Sequence, residues 1–428
     1  MMEDTGEPKA KLLYLESLRG LAALMVVLFH TASVYFPAMV VGPPIATHSR
    51  FAHLFYTSPL GVLVSGNFAV AIFFTLSGYV LARIFFKRRD PKSLERAASK
   101  RYLRLAIPVL VSVILAYLLM KLGLFQNWAG VQLITHSPAN YFQFEPSIGK
   151  AIYEGLFGTF VSGSGIYNPV LWTMQIELFG SFLVFAITAL FGQNRLRWVI
   201  YLALVAAVLR TEYLGFVVGM LLADLLATAD RRADLARQIR RCGWGLLATG
   251  ILLGGYTTYG NPAQTTYQLL FVQGWSVVEN TFFWHNLAAF FVLVAILGLP
   301  RVQKWLSWRP LVYLGQKSFS LYLLHQITLM GLSTYIFSSL IPHFGYTPSV
   351  AITVLAYLSL TLLGAHYFEI YVDRAAISIS AQVANWALTG AQAPGLIAMA
   401  TPLKLIKKLL SGYAKTGSAI KVRFEGML

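Results

Sequence analysis

Three titratable side chains stand inside apolar stretches of this chain: His30, Glu177 and His325. Ionisable groups at membrane depth are expensive, so each is a functional candidate by position alone. A histidine there can take and return a proton near neutral pH. A carboxylate beside it can orient the ring or stabilise the imidazolium. Each also has a structural reading, as a hydrogen bond that locks two helices together. Arg19 precedes His30 by eleven residues, close to three helical turns, so both share one face about 17 Å apart along the axis. Glu177 follows the polar run Trp172-Thr173-Met174-Gln175. It lies roughly 21 Å up from the inner end of its span, level with His30. His325 closes the run Ser318-Phe319-Ser320-Leu321-Tyr322-Leu323-Leu324-His325. Segment 87–104 holds eight Lys/Arg in eighteen residues and ends on Arg101 and Arg104, at i, i+3. Paired guanidiniums suit bidentate phosphate binding, and attraction to anionic lipid is the other reading.

His285 and His366 stand near the ends of apolar stretches and read as interfacial. Asp224 and Glu369 lie toward inner ends, where water or arginine reaches them. One cysteine, Cys242, rules out an intrachain disulfide framework and a Cys-rich metal site, and no metal is expected. No P-loop, dinucleotide-binding glycine pattern, HExxH or GxSxG stands in a fitting context.

Positioning these groups falls to membrane spans. Of 428 residues, 57% are hydrophobic and only 12% charged, against about 25% charged in a soluble domain. The composition predicts an all-α polytopic membrane helix bundle. About ten stretches approach the roughly 20 apolar residues a span needs: 17–41, 67–86, 105–123, 169–191, 196–211, 213–229, 243–260, 281–300, 318–340 and 349–373. The fifth and sixth are short, separated only by Arg210-Thr211-Glu212, and read as two spans or one re-entrant pair. The net charge is +17. With both termini in the cytosol, 30 of the 34 Lys/Arg fall on the inner side, and Arg50, Lys121, Lys150 and Arg210 on the outer. That one-sidedness removes nucleic acid as a partner and leaves membrane lipid. No cleavable signal is expected. Residues 1–16 read as a cytosolic segment, 17–374 as the membrane domain and 375–428 as a cytosolic tail. Within the tail, 403–410 reads as a basic amphipathic helix or a disordered basic stretch.

Leu15-Glu16-Ser17-Leu18-Arg19-Gly20-Leu21-Ala22-Ala23, with ten residues between Arg19 and His30, resembles the opening of the acyltransferase 3 family of integral membrane acyltransferases. Phe73-Phe74-Thr75-Leu76-Ser77-Gly78-Tyr79 resembles its FFxLSG motif, and Arg101-Tyr102-Leu103-Arg104-Leu105-Ala106-Ile107-Pro108 its RxxRxxP segment. Leu171-Trp172-Thr173-Met174-Gln175-Ile176-Glu177 resembles LWSLxxE, and the run from Gly315 to His325 resembles GxxSYxxYLxH. The motifs follow in order from about residue 12 to 375. Two departures stand out. Ala71 replaces an acid usual in the second helix, and Leu178-Phe179-Gly180 follows Glu177 where a polar or aromatic group is common. Both make the outer part of the site less polar. From the length of the chain, no esterase-like domain of the kind some members carry is expected.

The resemblance implies an acyl-CoA donor, acetyl-CoA first, arriving from the cytosol. Arg101 and Arg104, with Arg19, would meet its phosphates. His30 would act as general base on a hydroxyl of a lipid-soluble, secreted or glycan acceptor entering from the outer side or the membrane plane. Glu177 would orient His30 or stabilise its imidazolium. Trp172, Ser320, Tyr322 and His325 would line the channel or donate to the oxyanion. The implied location is a plasma membrane or endomembrane. A proton-coupled transporter or flippase also uses intramembrane His and Glu, and a non-catalytic scaffold is the third class.

Overall fold

The computed structural model describes residues 12–42, 51–125, 142, 144–227, 229–257, 259 and 262–390, and among them there is no β-strand. The expected tail helix at 403–410 lies outside the described residues, as does segment 1–11.

Local sequence sets where the helices begin and stop. The His30 helix, Leu13–Tyr35, ends where Pro37 forces Phe36 out of helical backbone, to φ −139°. The Ser77 helix, Gly66–Arg88, ends on Arg89 in the left-handed region. Two residues later Pro91 opens a 31-residue helix, Pro91–Lys121, capped by the Asp90 carboxylate on Lys92 N–H at 3.0 Å. The basic segment 87–104 is therefore mostly helix. Arg101 and Arg104 stand one turn apart inside it, with Pro108 four residues on.

Among the described residues, seven helices are long and apolar enough to cross a membrane: Leu13–Tyr35, Gly66–Lys87, Pro91–Lys121, Pro169–Phe191, Val277–Gly298, Arg309–Phe344 and Tyr346–Thr389. Each overlaps one of the expected spans, although the spans expected at 17–41, 105–123 and 281–300 run two to six residues past the helix ends. The remaining three expected spans fall on helices of another kind. Arg197–Val208 and Tyr213–Leu225 have 12 and 13 residues, about 18–20 Å each, short of the ~30 Å hydrocarbon layer. Stretch 243–260 overlaps the end of Ala229–Gly254, whose first half is polar.

The bundle is knit by close backbone approach. The His30 helix packs against the Ser77 helix, Arg309–Gln316 and the His325 helix, Ser318–Thr328. A Cβ on Gly20 would stand 2.5 Å from Gly315 N, and one on Gly315 2.1 Å from Glu16 O. Only two glycines let these helices meet there, beside Arg19. Small residues at such crossings suit a bundle in lipid, where packing rather than water expulsion drives association.

Gly315→Ala must push one helix backbone off another, an overpacking cost of about 1–3 kcal/mol. Its unfolding midpoint in detergent should fall. Gly245→Ala meets nothing within 4 Å in its helix. It should leave the midpoint unchanged or raise it, since alanine favours helix by about 1 kcal/mol over glycine. Equal effects of the two would contradict this packing.

Candidate active site

Glu177 sits in the helix Trp172–Phe191 and is bound from two neighbouring helices. Arg101 forms a short ion pair with its Oε1, and Ser77 Oγ donates to the same oxygen at 2.7 Å. Arg101 Nε also donates to Ser181 Oγ at 2.8 Å, and Ser181 Oγ donates to the Glu177 carbonyl at 2.6 Å. Both ion-pair side chains are largely buried, 17% and 13% exposed. A buried carboxylate needs such partners. They are Arg101 and Ser77, not His30.

The histidines meet each other instead. His325 Nε2 lies 3.1 Å from His30 Nδ1. Their remaining partners settle which nitrogen carries each proton. His325 Nδ1 faces the Tyr322 carbonyl at 2.7 Å and the Leu321 carbonyl at 3.2 Å. Carbonyl oxygens only accept, so His325 Nδ1 carries the hydrogen. In the neutral ring its Nε2 is then an acceptor. His30 Nδ1 also faces a carbonyl, Val26 O, at 3.0 Å, so it too carries a hydrogen and donates to both. The lone pair of His30 is thereby left on Nε2. His325 is fully buried, held one turn after Tyr322.

A cavity of about 170 Å³ lies on the far side of Tyr322 from His325. Arg19, Arg101, Arg104, Ser77, Glu177 and Tyr322 are among its walls, and His30 is not. Ser318, one turn before Tyr322, and Glu177, one turn after Thr173, both line it, while Tyr322 and Thr173 touch through their hydroxyls at 2.7 Å. The two helices therefore run antiparallel. His325 falls beyond Tyr322, about 10 Å along the axis from Glu177. Tyr322 is the shared wall. Its hydroxyl donates to the Val170 carbonyl at 2.6 Å, and its ring lies 5.9 Å from that of His325. The equal depth expected of Glu177 and His30 does not hold.

Arg104 is clamped by Asp373 through two bonds, 2.6 and 3.1 Å, and stacks on Phe319 at 5.6 Å. Asp373 ends a π-helical turn, Glu369–Asp373, whose Glu369 binds Lys317 at 2.5 Å and Arg374 at 2.9 Å. Arg19 has the loosest tie, 3.8 Å to Glu16. Ser320 is buried with an unpartnered hydroxyl. Trp172 lines a separate small pocket with His285 and Asn286 rather than the main cavity. His285 was expected at an interface but is 1% exposed, with Nε2 3.0 Å from the Tyr256 carbonyl. Asp224 is met by Arg197 at 2.5 Å, as its position suggested, and His366 by Tyr313 at 2.9 Å. Ser77, Ser181 and Asp373 were missed. Ser77 lies within the FFTLSG run and Ser181 one turn after Glu177, so both had a signal; Asp373 had none. Among the described residues no group of three His, Cys, Asp or Glu could hold a metal ion.

A family model described as "Acyltransferase domain" (Acyl_transf_3) matches residues 12–368. The chain belongs to this acyltransferase family. Two curated relatives agree with it. Acyltransferase clz18 of Cochliobolus lunatus is 25% identical over 76% of this chain and 84% of its own length. O-acetyltransferase PaAT-1 of Phomopsis amygdali is 24% identical over 87% and 84%. No solved structure matches. The protein is an integral membrane acyltransferase, moving acyl groups other than amino-acyl groups. The match spans the cavity's arginines, Glu177 and both histidines, and stops before Asp373.

Removing one member of the acyltransferase's central ion pair leaves the other buried and unpaired. Arg101→Met should destabilise by about 3–5 kcal/mol, read as lost monodisperse protein after detergent extraction. Arg101→Met with Glu177→Leu should recover most of that yield. A single variant as stable as the parent would show that the pair is not buried as described.

Proposed function

We propose that this acyltransferase moves an acyl group, acetyl first, from acyl-CoA to a hydroxyl of a lipid-soluble, secreted or glycan acceptor, with His30 as general base. The observation that carries this is the directed chain from the Tyr322 carbonyl through His325 to His30, which leaves the lone pair of His30 on Nε2, with Tyr322 also walling an arginine-lined cavity. The basic end of the bundle faces the cytosol in this reading, as the Lys/Arg asymmetry favours.

Arg19 and Arg104 would receive the donor's phosphates at the cavity mouth. Arg101 would present Nη1, the guanidinium nitrogen outside its bonds to Glu177 and Ser181. Glu177 holds Arg101 in place and so acts on the donor side, not on His30. His30 Nε2 takes the acceptor hydroxyl proton as that oxygen bonds to the thioester carbonyl carbon. The C–S bond then breaks, and His30 returns the proton to the departing sulfur. The products are an ester and free CoA, and no proton is left over. His325 touches no reacting atom. It positions His30 and fixes its tautomer, the part a carboxylate plays in hydrolase triads. Tyr322 must yield for thioester and histidine to meet, which makes it a channel residue.

Purified protein with acetyl-CoA and an alcohol should release CoA. His30→Gln should cut kcat by about 10²–10⁴, the usual worth of a general base, with folded yield intact. His325→Phe should lower kcat with KM unchanged, and His325→Gln, which keeps an acceptor, should restore part of it. Full activity in His30→Gln would sink the base assignment. Equal loss in both His325 variants would reduce His325 to packing. Solute entry into liposomes without acyl-CoA would favour the transporter class instead.

A further inference from the structure

Arg19 and Phe29 lie ten residues apart on the His30 helix, about 15 Å along its axis. Arg19 lines the basic cavity, and Phe29 lines a second pocket toward the opposite end of the bundle. Its other walls include Phe55, Tyr56, Tyr256, Tyr259 and Ser65. Phe29 is the partition between this pocket and the histidine pair. Its ring stands edge-on to His30 at 4.8 Å and parallel to Tyr259 at 6.0 Å.

The chemistry of the lining is selective. Among the described residues it holds no Asp, Glu, Lys, Arg, Asn or Gln. Its deep polar groups are hydroxyls. Ser65 Oγ and Tyr256 OH are buried and have no hydrogen-bond partner. A buried hydroxyl without a partner is unfavourable, so Ser65 Oγ would gain from a polar atom brought in by a ligand, while the Tyr256 ring packs behind it on Tyr267 and Trp284. The enclosed space is about 30 Å³, room for one water-sized group. Only the hydroxyl-bearing edge of a larger molecule fits there, with its body among the rings toward Tyr259, which is 42% exposed.

We infer that this pocket is the acceptor subsite of the proposed transfer, and that it takes a flat, mainly apolar alcohol rather than a glycan. The inference rests on the proposed function for the reaction but not for the binding. Aromatic walls stack well on planar ring systems. A sugar ring carries a hydroxyl on nearly every carbon, and most of these would lose water here without gaining a carboxylate or amide partner.

The test uses 2-naphthylmethanol, a fluorescent planar alcohol, on full-length protein in nanodiscs. Anisotropy should show saturable binding that excess methyl glucoside does not displace. Tyr259→Ala should weaken it about tenfold, the loss of one good stacking partner. Gly66→Ala, whose Cβ would stand 2.6 Å from the Phe29 ring, should also weaken it by displacing the partition. Absent binding, displacement by methyl glucoside, or parent-like affinity in Tyr259→Ala would each overturn the assignment. Binding with these dependences, but without acetylation of the alcohol from acetyl-CoA, would overturn the proposed reaction and leave the subsite standing.

Discussion

A charge buried in a helix bundle must bring its own solvent, and here Arg101 and Glu177 solvate each other. Ser77 and Ser181 occupy further hydrogen-bonding positions, so the pair joins three helices at one point. That point is a wall of the main cavity. Because Glu177 answers Arg101 and Asp373 answers Arg104, the cavity is much less positive than its three arginines suggest. A cavity balanced in this way can persist in lipid without a ligand. It can still exchange an internal carboxylate for an external anion, and Arg19, held only at 3.8 Å, is the cation with least to exchange.

The histidine pair works by a different physics. A carboxylate behind His30 would be a second buried charge, costly to keep unpaired. A neutral imidazole whose own Nδ1–H is fixed by a carbonyl gives the same direction to the hydrogen-bond chain at no net charge. The helix backbone supplies that carbonyl one turn earlier, from Tyr322. The side chain of Tyr322 walls the basic cavity, so a single helical turn carries both that wall and the orientation of the histidine pair.

The parts legible in the sequence are those that depend on one helix. The spacing of Arg19 and His30 put them on one face, and the polar run through Glu177 marked its helix as more than a span. Partner choice depends on how neighbouring helices are rotated and staggered, and no spacing within one segment contains that. Depth counted from a helix end put Glu177 level with His30, whereas the antiparallel contact of Thr173 with Tyr322 sets it with Arg101. His285 shows the same limit, since residues 255–257 fold over a helix end that looked interfacial. The two short helices at 197–208 and 213–225 are as apolar as spans. Their length, rather than their composition, sets them apart.

Two aromatic walls bracket the histidine pair, Tyr322 against His325 on the arginine side and Phe29 against His30 on the other. Under the proposed mechanism water competes with the acceptor whenever the thioester meets His30. A site open at both ends would hydrolyse its donor. Tyr322 is pinned by two hydroxyl contacts and Phe29 by edge and face contacts with His30 and Tyr259, so each side is closed by a ring, which in the proposed reaction its own substrate would displace. Displacement of both is the condition for the two substrates to touch, and the binding free energy of each is what moves its ring. Catalysis and exclusion of water are then one requirement, met where apolar rings rather than charges separate the base from either end of the bundle.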